Sequence, residues 1–336
     1  MSEQAGRYVL LINEDMEGRC FPGELRAELD GLYPWTIVRS AGDLSEDEWH
    51  KLLRGCEIIC GPWGVRQLPQ TSDPEDLPAF LCYMSGAVGN FADETHLELG
   101  MRLTNWGDSI AHTIAESALT GILACQRRVG YNQHVTHDLK KWRDHESPDS
   151  ATLFEKRVGL IGLGQIGRQM PPLLAPFRCD VYAYDPYVPD EVLEGLGVTR
   201  VASLEELFDT CPIISNHAGR VEELAGKIDA AMLARLPDEG VFVNTARGRI
   251  LVEDALADEH EAGRLWSCLD VFDPEPPPAG SRLRATPRCI ITPHQAGPTK
   301  DSYPCKGRRA IENLKRWKAG EELLGEVTPE MLPRMT

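Results

Sequence analysis

The stretch Arg157-Val-Gly-Leu-Ile-Gly-Leu-Gly-Gln-Ile-Gly167 decides how the rest of the chain is read. An apolar run of strand character passes directly into a G-x-G-x-x-G turn whose glycines are Gly162, Gly164 and Gly167. In such a turn the first glycine permits a sharp reversal, the second lets backbone amides approach a pyrophosphate, and the third lets the following helix pack close to the strand. The turn, with Gln165 and Ile166 between its last two glycines, is then a cofactor cradle, and the helix N-terminus adds partial positive charge. A second strand, Asp180-Val-Tyr-Ala-Tyr184, ends at Asp185, about 18 residues beyond the last glycine, where a carboxylate can accept from ribose hydroxyls. No Arg or Lys lies within Asp185-Pro-Tyr-Val-Pro189 to neutralise a 2′-phosphate, so the pattern points to NAD over NADP. The bland alternative is a glycine-rich turn with an incidental Asp, and the agreement of both flanking strands weighs against it. Pro171 and Pro172 predict a kink in the second turn of the helix that leaves its phosphate-facing end in place.

Outward from this unit, short apolar runs alternate with segments of helical period, the signature of an α/β fold with parallel sheets. Strands are predicted at Tyr8 to Ile12, Thr36 to Val38 and Glu57 to Cys60, with helices at Pro22 to Leu32 and Glu46 to Arg54. Ligands on such sheets bind at the carboxyl ends of the strands, which makes Gly61-Pro-Trp-Gly64 and Ser85-Gly-Ala-Val88 candidate ligand walls. After Asp108 or Ser109, a plausible N-cap, Ile110, Ile114, Ala118 and Ile122 recur at helical spacing. That helix is predicted to break near Gly130 and to run on to Trp142, followed by a polar surface loop from His145 to Thr152.

At 336 residues the chain is long enough for two domains with real cores. A net charge of −17 argues against nucleic acid and anionic membrane surfaces as partners. No apolar run approaches the length of a membrane span or a secretory core, so a cytoplasmic location is expected. The ten cysteines show no C-x-x-C pair and mostly sit inside apolar runs, where they read as small buried thiols. His134 and His137 with His145 are a metal candidate weighed against a solvated helix face, and no metal is expected. Glu116 interrupts an apolar helix face, as a buried structural carboxylate or a dimer contact.

Three later strand ends carry polar residues that apolar strands do not need: Arg247, Asp270 with Glu275, and His294. Singly, each has an ordinary reading as a surface cation, a solvated carboxylate or a backbone-bonded histidine. Together they suit hydride transfer on a hydroxy acid. Arginine offers a planar fork to a carboxylate, histidine can take or return the hydroxyl proton, and a neighbouring carboxylate stabilises the histidine's cationic form.

With Asn244-Thr-Ala-Arg-Gly248, Leu269-Asp-Val-Phe272, Glu275-Pro276 and Pro293-His294 added to the glycine turn, the chain resembles the NAD-dependent D-isomer-specific 2-hydroxyacid dehydrogenases. These include phosphoglycerate dehydrogenase, D-lactate dehydrogenase and glyoxylate/hydroxypyruvate reductase. The resemblance runs in register from about Leu103 to Ala319. It implies that Arg247 binds the substrate carboxylate, that His294 is the acid/base and that Glu275 is its partner. It also implies that Asp270, with the backbone of Thr245 and Ala246, holds the nicotinamide end, that His217 and Ala218 contact the cofactor, and that Ser85, Gly86, Ala87 and Val88 offer amides to the substrate, with Trp63 as a pocket wall. The implied architecture is a Rossmann NAD-binding domain over 109–298, including a dimerisation arm over 109–147, and a discontinuous flavodoxin-like substrate domain over 1–108 and 299–336. A homodimer is expected.

The chain departs from the family pattern at Ser215-Asn-His-Ala-Gly-Arg220, at Tyr83-Met-Ser-Gly-Ala-Val-Gly89 and in the proline-rich run Asp270 to Pro278. The first leaves the contacts of His217 and Ala218 open and makes Arg220 a solvated loop charge. The second withholds substrate side-chain selectivity. The third predicts a stiff loop around Glu275. Two other readings stand beside the dehydrogenase of a small anionic 2-hydroxy/2-oxo acid: an NADH-sensing, corepressor-like dimer, and the same chemistry on a phosphorylated or phosphonate acid, for which Arg66 or Lys300 would meet the second anionic group.

Overall fold

The computed structural model of the chain describes residues 7–89, 91–142 and 148–332. Two compact units form: residues 1–110 with 298–336, and residues 111–297. Each is built on a wholly parallel sheet.

The first unit contains β1 (Tyr8–Leu11), β2 (Thr36–Val38), β3 (Ile58–Gly61), β4 (Phe80–Tyr83) and β5 (Arg102–Thr104), in the order β2-β1-β3-β4-β5. This is the flavodoxin-like order. Strands β3 and β4 are buried along their whole length, as parallel strands covered on both faces must be, which is why they read as unbroken apolar runs. The late helix Tyr303–Ala319 returns to this unit, adding Ala310, Ile311 and Leu314 to the core that holds Leu10, Ile58 and Phe80. Its Trp317 stacks on Phe80 at 4.9 Å between ring centroids. Gly307 is needed for that approach, because a Cβ there would lie 2.0 Å from the carbonyl oxygen of Cys20.

One helix was not legible in the sequence. Glu14–Cys20 is capped by Asn13, whose side chain accepts from the Met16 amide at 2.8 Å, but it buries only Cys20 and so shows no apolar period. The helix expected over Pro22 to Leu32 is the shorter Glu24–Asp30.

The second unit contains β6 (Arg157–Ile161), β7 (Asp180–Tyr184), β8 (Thr199–Arg200), β9 (Ile213–Asn216), β10 (Val241–Asn244), β11 (Trp266–Leu269) and β12 (Cys289–Ile291). Their order is β12-β11-β10-β9-β6-β7-β8, the doubly wound dinucleotide-binding order with one further strand. The order reverses direction between β6 and β9, and at such a switch point the loops diverge to open a crevice at the carboxyl ends. The chain is therefore α/β, with a Rossmann cofactor-binding domain and a discontinuous flavodoxin-like substrate domain. No helix among the described residues is long and apolar enough to cross a membrane.

The long helix begins at Ala111 and ends at Gln126, before the expected break at Gly130. It resumes as Val129–Gln133 and finishes in a π turn, His134–Asp138, short of Trp142. Arg128 sets the break: it adopts φ +56° and is buried, donating to the Cys125 and Asp149 carbonyls and pairing with Glu239. Its guanidinium lies 4.3 Å from the Trp266 ring centroid, and Arg288 lies at the same distance from that ring. A guanidinium held by aromatic stacking, an ion pair and the freed carbonyls of the helix end outweighs one more turn of helix. Glu116 is exposed on this helix, which removes the buried structural carboxylate from the two roles expected of it and leaves the dimer contact.

After the glycine turn the expected kinked helix is replaced by three short pieces, a 3₁₀ turn Gly167–Gln169, a helix Met170–Leu174 and a 3₁₀ turn Ala175–Phe177. Restarting at Met170 places Pro171 and Pro172 in a first turn, where a missing N–H costs nothing.

His260, on the helix Glu253–Glu261, lies 3.2 Å from the Ser267 hydroxyl through Nε2, while its Nδ1 has no partner. Burial, aided by the charge of Arg288, pushes its pKa down to about 4 from 6.5. The neutral ring is therefore favoured in the folded state, so the stability it contributes is complete above pH 6.5 and is lost as pH falls towards 4. That loss should be on the order of 3 kcal/mol. Urea unfolding of His260→Gln between pH 7 and 4.5 should show a flatter pH profile than the parent chain, and parallel profiles would contradict the assignment.

Candidate functional site

The site of the second unit is assembled at the carboxyl ends of β6, β9, β10, β11 and β12. At the glycine turn, the Gly162 amide donates to the Tyr184 carbonyl at 3.0 Å and its φ is +86°. A Cβ on Gly162 would lie 2.8 Å from Ala218 Cα, and one on Gly167 would lie 2.3 Å from the Gly162 carbonyl oxygen. A Cβ on Gly164 would meet nothing within 4 Å. The outer glycines are thus required by the protein's own packing, whereas the middle one faces open space of the kind a pyrophosphate needs. Gln165 is exposed beside it and Ile166 packs partly against the core.

Asp185 closes β7 and is largely buried. Its Oδ2 accepts from the Leu163 amide at 2.7 Å, and its Oδ1 accepts from the Tyr187 and Val188 amides at 2.9 and 3.1 Å. The carboxylate is thereby tied to the glycine turn, with lone-pair capacity left on Oδ2 for a hydroxyl donor. The fold brings one cation to this turn that the sequence window did not contain. Arg200 donates to the carbonyls of Asp185 and Val188 and pairs with Asp190 at 2.7 Å.

Two buried asparagines that sequence reasoning did not single out join β9 to β10. Asn216 Nδ2 donates to Asn244 Oδ1 at 3.0 Å, and Asn244 Oδ1 also accepts from the Ala246 amide at 3.1 Å. Asn244 Nδ2 donates to the Arg247 carbonyl at 2.8 Å, and the Asn216 side-chain oxygen accepts from the Ala218 amide at 3.1 Å. The available signal was an amide side chain closing an otherwise apolar strand at the same register in both strands. The turn that carries Thr245, Ala246 and Arg247 is pinned this way from one side, and from the other by Gly248, where a Cβ would lie 2.1 Å from the Phe272 carbonyl carbon.

Arg247 is half-buried and donates to the Ala246 carbonyl at 2.6 Å. Burial lowers its pKa from the usual guanidinium value, the charge of Glu275 opposes that shift, and Arg220 adds to it. Arg220 is exposed, as a solvated charge should be, yet it stands within electrostatic reach of Arg247.

Asp270, expected to help hold the nicotinamide end, is 1% exposed and is bonded to the loop that follows β12. Its Oδ1 accepts from the Thr292 hydroxyl and, at 2.8 Å, from the Gln295 amide, while Oδ2 accepts from the Ala296 amide at 2.9 Å. The side chain is thus an anchor for the loop carrying His294. That loop is tight: His294 sits at φ +53° and its amide donates to the Asp270 carbonyl at 3.0 Å. The imidazole Nδ1 lies 2.8 Å from Glu275 Oε1, both side chains remaining accessible. With an ionised carboxylate as the acceptor, Nδ1 carries the hydrogen and Nε2 is the free nitrogen.

His217 is buried, its Nε2 lies 2.9 Å from the Ser215 hydroxyl, and its Nδ1 is without a partner. Burial pushes its pKa down to about 4, so the ring is neutral at pH 7. Thr245 Oγ1 is likewise buried and unpartnered. His217 adjoins the open glycine turn, and orphaned polar atoms such as its Nδ1 fit a polar ligand such as a dinucleotide.

The candidate substrate residues lie on the first unit. Trp63 is 51% exposed, whereas Ser85 and Val88 are buried and Ala87 is partly so. Gly86 lies against Trp106, whose ring a Cβ would approach to 2.7 Å. Arg66 donates to the Leu44 carbonyl at 2.8 Å and Lys300 is exposed. His134 bonds to Asp138 at 2.8 Å, His145 lies outside the described residues, and among the described residues no group of His, Cys, Asp and Glu could hold a metal.

Comparison with known proteins agrees with this geometry. A family model described as the NAD binding domain of D-isomer specific 2-hydroxyacid dehydrogenases matches residues 119–296. The chain is 30% identical over 311 residues to a D-3-phosphoglycerate dehydrogenase of Methanocaldococcus jannaschii, covering 88% of this chain and 58% of that protein. It is 31% identical over 222 residues to a hydroxypyruvate reductase of Thermotoga maritima, covering 65% of this chain and 70% of the relative. Its fold matches that of a D-lactate dehydrogenase from Lactobacillus jensenii solved with NAD+, at TM-score 0.76 and 20% identity over 96% of this chain and 99% of the other. The chain spans 58% of the archaeal phosphoglycerate dehydrogenase and 42% of a mycobacterial one from Mycobacterium leprae.

The three glycines should separate by experiment. Gly164→Val should leave Tm within about 2 °C of the parent, because its side chain meets no protein atom, and should weaken NADH binding, followed by nicotinamide fluorescence, at least about tenfold. Gly167→Val should instead lower Tm outright. Unchanged NADH affinity in Gly164→Val would remove the turn from the binding site.

Proposed function

The chain belongs to the D-isomer-specific 2-hydroxyacid dehydrogenases, and on that premise we propose that it moves a hydride between nicotinamide C4 and C2 of a small 2-hydroxy/2-oxo acid. The observation that carries the reading is the 2.8 Å contact between His294 and Glu275 on the unit that also holds Arg247. NAD, when bound, supplies or receives the hydride. Gly164, Gln165 and the neighbouring amides would hold its pyrophosphate, Asp185 its ribose, and the orphaned atoms of His217 and Thr245 further polar groups. With Asp185 aimed at the ribose and the donors of Arg200 taken up by two carbonyls and Asp190, NADH is the preferred reductant over NADPH.

In the reducing direction Arg247 grips the substrate carboxylate and polarises the adjacent carbonyl. Its partial burial raises the strength of that pairing, because fewer waters compete for the guanidinium. In this direction His294 acts as the imidazolium: it gives the Nε2 proton to the oxygen forming on C2 and is left neutral, while Glu275 holds Nδ1–H and so fixes the orientation of the ring for that transfer. Oxidation of the hydroxy acid runs the same steps backwards, with the imidazolium formed at His294 stabilised by Glu275.

NADH oxidation should be observed with at least one of glyoxylate, hydroxypyruvate, pyruvate, oxaloacetate, phenylpyruvate or phosphonopyruvate. His294→Gln should lower kcat by about 10²–10⁴-fold, the range for loss of a general acid. Arg247→Ala should cost most of kcat/KM, and Glu275→Gln should leave less activity than the parent. Turnover near that of the parent in His294→Gln would sink the mechanism.

The proposal includes a homodimer. Val129, Leu139 and Trp142, on the segment following the long helix, stand exposed, Trp142 at 91%, and apolar groups displayed together in this way favour a self-complementary contact. Light scattering should give twice the chain mass, and Trp142→Arg should shift the equilibrium towards monomer.

A further inference from the structure

The first unit holds a buried amine with no counter-ion, and hydride transfer makes no use of it. Lys306, in the first turn of the helix Tyr303–Ala319, is 1% exposed, and among the described residues its Nζ has no hydrogen-bond acceptor. What surrounds it is aromatic: Nζ lies 4.1 Å from the Trp63 ring centroid, 5.1 Å from that of Trp106 and 5.3 Å from that of Tyr303. All of these residues belong to the same compact unit. Ring faces attract an ammonium, but they recover only part of the cost of taking it out of water. A lysine kept only for packing would be replaced at lower cost by methionine, which has similar length and no charge.

The groups nearest the amine do little to hold it charged. The Cys20 thiol comes from the helix Glu14–Cys20, and burial pushes its pKa up to about 11, so it is neutral at pH 7. Arg19 lies 5.4 Å from the Tyr303 ring and pairs with Asp15 at 2.9 Å. Burial accordingly pushes the pKa of Lys306 down to about 8 from 10.5, with Cys20 opposing the shift. Desolvation of this kind makes a lysine nucleophilic near neutral pH. At pH 7.5 about a quarter of such an amine is neutral, against about one part in a thousand for an exposed lysine.

One wall of the cage can open. Trp106 is fixed, because its amide donates to the Ser85 carbonyl at 3.2 Å and its ring lies against Gly86, where a Cβ would come within 2.7 Å. Tyr303 belongs to the helix that carries Lys306. Trp63 stands instead on the Gly61-Pro-Trp-Gly64 turn, is 51% exposed and meets Trp106 edge-on at 6.2 Å between ring centroids. Rotation of its side chain uncovers Nζ without unfolding the turn. An opening behind a single indole admits a small reagent and excludes a bulky one.

We propose that Lys306 is a modification site, acylated at Nζ by a small acyl phosphate that enters when the Trp63 indole swings aside. The neutral amine attacks the acyl carbon and forms the N–C bond. The bond from that carbon to the phosphate oxygen breaks, phosphate leaves with the electron pair, and the nitrogen gives its surplus proton to water. Phosphate departs without a proton from the protein, so the cage needs no general acid. The amide product is uncharged, and burying it costs less than burying the ammonium that the rings leave undercompensated.

The test incubates the parent chain with acetyl phosphate and follows each lysine by site-resolved mass spectrometry, so neither NADH nor turnover of a hydroxy acid enters. The exposed Lys227 and Lys300 are internal references. At pH 7.5 the initial rate at Lys306 should exceed either reference at least about fivefold, since lower basicity and the displacement of Trp63 take back part of the gain in neutral amine. As pH is raised, the rate at Lys306 should level off above about pH 8 while those at the references keep rising. A rate at Lys306 no greater than the references, or a profile that rises in parallel with theirs, would overturn the proposal. Trp63→Ala, which opens the cage to water, should move the levelling-off upward towards the references. An unchanged profile in that variant would overturn the proposal as well.

Discussion

The carboxylate of Asp270 is the interaction on which the site of the second unit depends. It is buried at the end of β11, and both of its oxygens are taken by donors from the loop that follows β12. A buried carboxylate is tolerable only when its acceptors are satisfied, so the loop cannot move away without stranding the charge. That loop places His294 at a positive φ, a conformation costing on the order of 1 kcal/mol for a residue with a side chain, and the satisfied carboxylate offsets it. The Nδ1 contact with Glu275 is therefore a consequence of a second-layer anchor as much as of the two residues that make it.

The same logic operates at the neighbouring strand ends. Asn216 and Asn244 exchange hydrogen bonds across β9 and β10 and return others to Ala218, Ala246 and the Arg247 carbonyl. Amides suit this task because each offers both donors and an acceptor and carries no charge to be desolvated. Arg247 can then be held partly buried by its backbone, leaving the guanidinium's fork for a ligand. The local electrostatics run against the bulk of the molecule. The chain carries −17 overall, yet Arg247 and Arg220 stand within reach of one another in one unit, and Lys306 is enclosed by aromatic rings in the other. Concentrating uncompensated cations within an acidic surface favours small anions while repelling polyanions.

The alternation of apolar runs and helical segments was enough to establish parallel α/β architecture, and the glycine turn with Asp185 was enough to mark this part of the chain as a candidate dinucleotide-binding unit. Both are local signals: a buried parallel strand must be apolar throughout, and a sharp turn that a phosphate approaches has no room for side chains. Arg247, Glu275 and His294 were legible as candidates, because polar residues closing apolar strands have few structural reasons to be there, and the structure brings Glu275 and His294 into contact on the unit that also holds Arg247. The reading failed where partners distant in sequence decide the outcome. The long helix ends at Gln126 because the Arg128 side chain just beyond it finds Trp266 and Glu239, more than a hundred residues away, and no periodicity in the helix reports it. The helix Glu14–Cys20 forms on a cap with a single buried residue, and so leaves no apolar pattern.

By itself, then, the sequence determined the fold class and the presence of an NAD-binding domain, and it named candidate residues for gripping a carboxylate and moving a proton, since each of these readings rests on chemistry contained within a few consecutive residues. The tertiary structure decided which polar groups are anchors and which are free. Asp270 became a scaffold because its lone pairs meet three donors of one loop, His217 a neutral buried ring because nothing solvates it, and Lys306 an unpaired ammonium because its neighbours are aromatic faces. Satisfaction of a buried group depends on what surrounds it in space, and chain order does not carry that information.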